Sequence, residues 1–315
     1  MDVKVRAASP SVSVLMPVFN TDAYLLEALM SISNQTFTNF ELVVLDDGSS
    51  DKSLRIIQEY ALLENRMTYV SRPNKGLIAS RNELLSLAQG EFIAWMDSDD
   101  ISLPDRLQKQ IQYFRINPNV LCLGSAAQCI DPDGRNLNIE HYPSNHEDIV
   151  ACQLNGGGMR FATTMIPTAI LESLGGFREP LKMGEDFDFL IRLSEKGIVS
   201  NLPESLYLYR QHLKSVCAST GPAWTIYRDA VLKLARERAT VGSDILQKGG
   251  SLNLTLPKNQ STRKLEAVAL ANWANSALDN KDKSLALKYA IASISRNPTS
   301  RGGWRVLKKL LIGTM

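Results

Sequence analysis

"EFIAWMDSDD", residues 91–100, runs from an apolar stretch that reads as a buried strand straight into Asp97, Asp99 and Asp100. Like charges that close repel one another, so the segment needs a compensating structure or a compensating ion. Its first half belongs to a wider pattern. "SVSVLMP" (11–17), "FELVVLD" (40–46), "MTYVSR" (67–72) and "EFIAWMD" (91–97) are each rich in Val, Ile, Leu or aromatic residues and read as strands. Segments beginning near Asp22, Asp51 and Gly76 separate them with helical spacing, as in Leu25, Leu26, Leu29 and Ile32. Repeated β-α-β units predict a Rossmann-like α/β domain, a mostly parallel sheet flanked by helices. Ligands of such sheets sit beyond the carboxyl ends of the strands, and "PVFN", "DDGSSD" and "DSDD" all fall there.

Two phosphate cradles are missing from those ends. Pro17, Val18, Phe19 and Asn20 do not make a glycine-rich dinucleotide loop, and no G-x-x-x-x-G-K-[ST] occurs. Carboxylates stand in their place. Hard divalent cations take oxygen ligands and bridge one or two carboxylates to substrate phosphates, so a D-x-D at a strand end suits a metal-diphosphate site. A solvated turn explains the same letters, with Asp100 or Ser102 as N-cap of a helix starting near Pro104. "DDGSSD" taken by itself reads as a turn, with Asp51 capping the next helix, and the alternative is a site. Phe19 could pack in the core or stack on a nucleobase.

Composition bounds the remaining choices. The 315 residues, 44% hydrophobic and 22% charged, suffice for one large domain or two modest ones. A net charge of +2 with no long basic block predicts no nucleic-acid partner. "MDVKVRAASP" lacks the apolar core of a secretion signal, and no uninterrupted apolar run reaches the roughly 20 residues that span a bilayer. Cys122, Cys129, Cys152 and Cys217 form no C-x-x-C pair. The expected setting is the cytoplasm, with reduced, buried thiols.

"MGEDFDFLIRL" offers a further carboxylate pair. In a helix from Glu185 to Lys196, Asp186 shares a stripe with Leu190 and Leu193, while Glu185 is turned away by about 100°. Both acids would also favour a helix N-terminus through the macrodipole.

"VSVLMPVFN", "FELVVLDDGSSD", "NKGLIASRNELLSLAQGEFIAWMDSDD" with "LPDRL", "LGGFRE" and "MGEDFDFLIRL" occur in this order. Together, from about Ser11 to about Ser215, they resemble the family 2 glycosyltransferases of the GT-A fold. The resemblance implies inverting transfer of a sugar from a nucleoside diphosphate sugar, most often UDP-linked, to a glycan or lipid-linked acceptor hydroxyl in surface polysaccharide synthesis. It also implies a divalent metal, Mn²⁺ or Mg²⁺. Pro17 and Phe19 then resemble residues lining the base pocket, Asp47 one that contacts the base, and Arg81 the basic residue near base and diphosphate. Asp97 is similar to the ribose-side acid and Asp99 to the metal ligand, with Asp100 a second candidate ligand. Asp186 matches the general base, and Glu185 an acceptor-positioning or structural partner. His212 resembles a histidine that, beyond the catalytic helix, reaches the metal or the diphosphate. His141 and His146 receive no role. Gly156 to Gly158 either let backbone approach a sugar or form a flexible loop.

Residues 1–218 are therefore expected to be the catalytic domain, and 219–315 a C-terminal helical domain. "AWTIYRDAVLKLARERATV", "RKLEAVALANWANSALDN", "KSLALKYAIASISRNP" and "SRGGWRVLKKLLIG" have helical periods, with breaks at "QKGGSLNLTLPKNQ" and "NPTSRGG". Trp273, Ala277, Ala286 and Ala290, followed by Pro298, resemble one tetratricopeptide-like hairpin. The last helix carries Arg305, Lys308 and Lys309 among apolar residues, so it either docks on the protein or lies on a membrane as a peripheral contact. A rival function is a nucleotide-sugar or glycan binding module without turnover. A nucleotidyltransferase would need a glycine-rich loop that "PVFNTDAY" is not.

Overall fold

The computed structural model describes residues 10–215, 223–256 and 261–312. Cys217 and the expected 218/219 boundary lie outside these residues. Strands β1 (Val12–Val18), β2 (Phe40–Asp46), β3 (Met67–Ser71) and β4 (Phe92–Trp95) alternate with helices α1 (Leu25–Ser33), α2 (Ser53–Ala61) and α3 (Leu77–Leu87). The pairs β1–β2, β2–β3 and β1–β4 are all parallel. Leu25, Leu29 and Ile32 bury the inner stripe of α1, while Leu26 is exposed.

The rest of the sheet runs the other way. After β5 (Ile101–Ser102) and α4 (Arg106–Ile116) come β6 (Val120–Ile130), β7 (Asn136–Glu140), α5 (His146–Gln153), β8 (Met165–Pro167), the single-turn α6 (Leu171–Leu174), α7 (Glu185–Lys196) and β9 (Ile198–Arg210). The strand order is β3-β2-β1-β4-β8-β6-β9-β5, with β7 beside β6. β8 is antiparallel to both β4 and β6, and β7 to β6. The sheet is thus mixed, its parallel half being the part legible as β-α-β. Because β5 intervenes and α4 starts only after Asp105, Asp100 and Ser102 do not cap that helix.

Chain contacts divide the molecule into Met1–Ala126 with His141–Tyr207, and Ala127–Glu140 with Leu208–Met315. The end of β6 from Ala127, β7 and the end of β9 therefore group with the helices, while most of β6 stays with the first unit. The first unit is centred on Leu15, Leu45, Leu84, Trp95, Phe161 and Phe189. Gly158, with φ near 101°, passes so close to α5 that a Cβ would lie 2.8 Å from the Ile149 carbonyl, which gives this glycine a packing role.

The second unit contains α8 (Ala223–Val241), α9 (Thr262–Asp279), α10 (Lys283–Arg296) and α11 (Arg301–Ile312). Trp273 of α9 meets Tyr289 of α10 edge to face at 5.3 Å, and Ala277, Ala286 and Ala290 are buried. Gly302 and Gly303, expected in a break, lie inside α11. Added Cβ atoms there would stand 2.7 Å from Ala271 Cβ and 2.9 Å from Ile294 Cγ1, so close helix packing accounts for them. No helix among the described residues is long and apolar enough to cross a membrane.

A buried carboxylate anchors the hairpin. Asp131 accepts hydrogen bonds from the Tyr289 hydroxyl at 2.7 Å, Arg135 Nε at 3.0 Å and the Asp133 and Arg135 amides. Tyr289→Phe removes the hydroxyl donor and should cost about 1–2 kcal/mol in urea unfolding; an unchanged midpoint would show that the remaining donors suffice.

Candidate active site

The site is built where β1 and β4 part. Their ladder ends at Leu15 and Trp95, closed by Met96 N–H donating to the Leu15 carbonyl at 3.1 Å, while β1 stays paired with β2 through Val18 and Asp46. Pro17 has no N–H to donate and sits beyond the reach of β4, which is where an inner strand tolerates proline. Just past it Phe19 is 49% exposed, so it is a surface ring rather than part of the core.

The loops after β1 and β2 are stitched together. Asp47 N–H donates to the Val18 carbonyl at 2.8 Å, and Asn20, with φ near 54°, accepts from Ser50 N–H at 2.8 Å. The amides of Thr21 and Asp22 donate to Ser53 Oγ at 3.0 Å and Asp51 Oδ2 at 3.1 Å. Asp51 Oδ1 accepts from Ser53 N–H at 2.9 Å, but from one residue ahead of the N-cap position of α2, which is Lys52 rather than the expected Asp51. Thr21 and Ser98 hydroxyls pair at 3.0 Å, tying both loops to "DSDD".

Asp47 is 4% exposed and spends its oxygens on the chain. It accepts from Lys75 N–H at 2.8 Å, Gly76 N–H at 2.9 Å and Arg72 Nη1. Arg72 also donates from Nε to Glu83 at 2.6 Å and from Nη2 to Ser80 at 3.2 Å. The loop from 72 to 76 crosses Gly48 so closely that a Cβ there would lie 2.7 Å from Asn74 N, and its φ near 75° also favours glycine.

Arg81 points from α3 into a box of aromatic rings. Its guanidinium carbon is 4.6 Å from the centre of Phe161, 5.4 Å from Phe177 and 6.0 Å from Trp95, and its Nη1 donates to Glu185 at 2.7 Å. Its Nε is buried without a hydrogen-bond partner among the described residues. Burial pushes Glu185 up to about 7 against the pull of Arg81, with Asp186 and Asp97 adding to the rise. Loss of solvent raises Asp97 to about 6, Arg81 opposing it and Asp99 and Asp186 reinforcing it. These mutual effects place Asp97, Asp99, Asp186 and Arg81 in one electrostatic neighbourhood, with Arg160 at its edge.

Helix α7 is buried on nearly every side. Asp188, with no solvent exposure, accepts from Arg178 Nε and Arg192 Nε, each at 2.9 Å. Arg192 donates onward to the Leu174 and Gly176 carbonyls at 2.5 and 2.7 Å. Asp186, half-buried at the helix start, shares the stripe of the buried Leu190 and Leu193. Its carboxylate is therefore held on a rigid element.

A sequence model of glycosyl transferase family 2 matches residues 13–175, more than half of the chain. The chain belongs to that family. An uncharacterized glycosyltransferase of Haemophilus influenzae is 33% identical over 183 residues, covering 58% of this chain and 71% of that protein. The Escherichia coli chondroitin synthase is 29% identical over 199 residues, 63% of this chain but 28% of that larger protein. The crystal structure of S. aureus TarS 1-349 in complex with UDP-GlcNAc overlays with a TM-score of 0.59 at 21% identity, covering 91% of this chain and 81% of that one. The likeness establishes the shared GT-A fold.

In this glycosyltransferase Pro17, Phe19, Asp47, Arg81, Asp97, Asp99, Glu185 and Asp186 all belong to the first unit. His212, 7% exposed, belongs to the second. Asp100 is 1% exposed and lies near enough to Arg106 and Tyr207 to perturb both. Arg106 is itself fully buried and donates from Nη2 to the Trp95 carbonyl at 2.9 Å. The sequence reading missed Arg72, Arg160 and Tyr207, whose hydroxyl accepts from Asp97 N–H at 3.1 Å. Arg72 alone had a local signal, as the basic residue ending the third strand run.

The raised Glu185 carboxyl sets a pH dependence. Between the unperturbed value of 4.5 and about 7, the native state holds a proton that the unfolded chain has released, so stability falls as pH rises through this window. With chelator present, urea unfolding at pH 5 to 8 should show a decline on the order of 1–3 kcal/mol that is reduced in Glu185→Gln. Equal slopes in both proteins would assign the decline elsewhere.

Proposed function

We propose that this chain transfers a sugar from a nucleoside diphosphate sugar, UDP-linked as the first candidate, to a hydroxyl of a glycan or lipid-linked acceptor. The reading places the reaction in the cytoplasm, in surface polysaccharide synthesis, and the kinship with a chondroitin synthase supports the polysaccharide part. The observation that carries it is Arg81, whose Nη1 donates at 2.7 Å to Glu185, the chain neighbour of Asp186, while its guanidinium stands 6.0 Å from the ring of Trp95, two residues before Asp97. Phe19 stacks on the base, and Pro17 helps line its pocket. Asp47 shapes that pocket through the 72–76 loop it holds, and Asp97 faces the ribose. Arg81, with an unspent Nε–H in an apolar box, offers positive charge and a donor to the diphosphate.

The acceptor oxygen attacks the anomeric carbon from the face opposite the diphosphate. The new C–O bond forms as the bond to the leaving nucleoside diphosphate breaks, which inverts the centre. Asp186 takes the acceptor proton as general base. Glu185, paired with Arg81, positions rather than reacts.

Among the described residues no three His, Cys, Asp or Glu side chains gather closely enough to hold an ion by themselves. Asp99, with Asp100 as a second candidate, would hold a Mn²⁺ or Mg²⁺ ion, a hard cation suited to carboxylate and phosphate oxygens. Such an ion supplies Lewis-acid neutralisation of the leaving diphosphate. For His212 the family resemblance is the sole support for a metal or diphosphate contact.

Calorimetric titration of UDP, GDP and dTDP, with Mn²⁺ or with chelator, tests the reading. One nucleotide should bind only with metal and at least tenfold more weakly to Asp99→Ala. Asp186→Asn should keep that binding and lose about 10²- to 10⁴-fold in turnover. Failure of all three nucleotides to bind with metal present would overturn the proposal.

A further inference from the structure

Helix α11 docks inside the second unit with one stripe and leaves another uncovered. Gly303 and Val306 are buried, and Gly302 faces Ala271 at close range. On the opposite arc Leu311 is 72% exposed, Trp304 54% and Ile312 59%. At about 100° per residue, Leu311 and Trp304 form one flank of that arc. Lys308, Arg301, Arg305 and Lys309, all exposed, fan out across the next quarter-turn or so.

Residues 301–312 contain no Asp or Glu, although the whole chain carries a net charge of only +2. Four cations on one arc are therefore a local concentration. The Trp304 indole N–H donates to the Pro298 carbonyl at 2.9 Å, which orients the ring while leaving half of it open. Docking alone explains the buried stripe and leaves this second face unexplained.

We propose that this arc is a contact for an anionic lipid surface. The helix lies along the bilayer with Trp304 and Leu311 entering the headgroup boundary and the four cations opposite lipid phosphates. Exposed indole and leucine beside a basic flank are the combination that partitions a surface helix into an interface. The absence of acidic residues matches the negative potential of such a surface. A convex helix face with cations and apolar side chains side by side suits fluid lipid, which adapts to it. The proposal is independent of the donor-site chemistry.

Flotation of the full chain with vesicles of phosphatidylcholine, alone or mixed with phosphatidylglycerol, provides the test. The chain should float only with the anionic vesicles and be released by salt. The Arg305→Gln/Lys308→Gln double variant should partition about thirty-fold more weakly, from roughly one kcal/mol per cation. Leu311→Asp should weaken flotation at low salt as well. Trp304 emission should shift to the blue on vesicle addition, a shift lost in Trp304→Phe. Urea midpoints and nucleotide binding matching the parent would show that the variants remain folded. No flotation at low salt, equal flotation on neutral vesicles, or an unaffected double variant would each overturn the proposal. So would retention of the chain by a soluble polyanion without any vesicle binding.

Discussion

Three carboxylates sharing one field, Asp97, Asp99 and Asp186, are the constraint around which the first unit is organised. Burial is the main cause that raises the Asp97 and Glu185 carboxyls, and the neighbouring negative charges, Asp99 and Asp186 at Asp97 and Asp186 and Asp97 at Glu185, add to the rise. Arg81 relieves part of it. Its cationic face is wrapped by Phe161, Phe177 and Trp95, and its Nη1 is committed to Glu185. A buried pair of this kind contributes little net stability, because desolvation offsets much of the Coulomb attraction. Its value lies in fixing where the charge stands before any ligand arrives.

The surrounding frame is rigid for a related reason. Loops normally move, yet those after β1 and β2 spend amides on each other's side chains, and the Thr21 hydroxyl pairs with that of Ser98 in the third. Beneath the helix that carries Asp186, Asp188 gathers Arg178 and Arg192, and Arg192 in turn fixes the turn at Leu174 and Gly176. Carboxylates just past strand ends and on a locked helix are held more precisely than on free loops.

Much of this was legible in sequence where the signal is local. The four strand runs and the helix at Glu185–Lys196 lie where side-chain periodicity put them, because period 2 and period 3.6 are properties of neighbouring residues. The antiparallel half was not, since β6, β8 and β9 acquire their direction from partners far along the chain. Gly302 and Gly303 misled for the same reason: their helical placement follows from contact with Ala271 and Ile294 in other helices. Asp47 shows the limit for a site residue. Its position at a strand end was readable, but its commitment to Arg72, Lys75 and Gly76 was not.

By itself the sequence determined the order of β-α-β units, the carboxylates at their ends and the absence of two glycine-rich phosphate loops, because each is written in contiguous residues. Only the tertiary structure decided that Arg81 meets Glu185, 104 residues away, that Tyr289 meets Asp131, and that the segment Ala127–Glu140 groups with the C-terminal helices. Such pairings depend on how buried surfaces close over one another, and no local pattern encodes which distant charge will be the one enclosed.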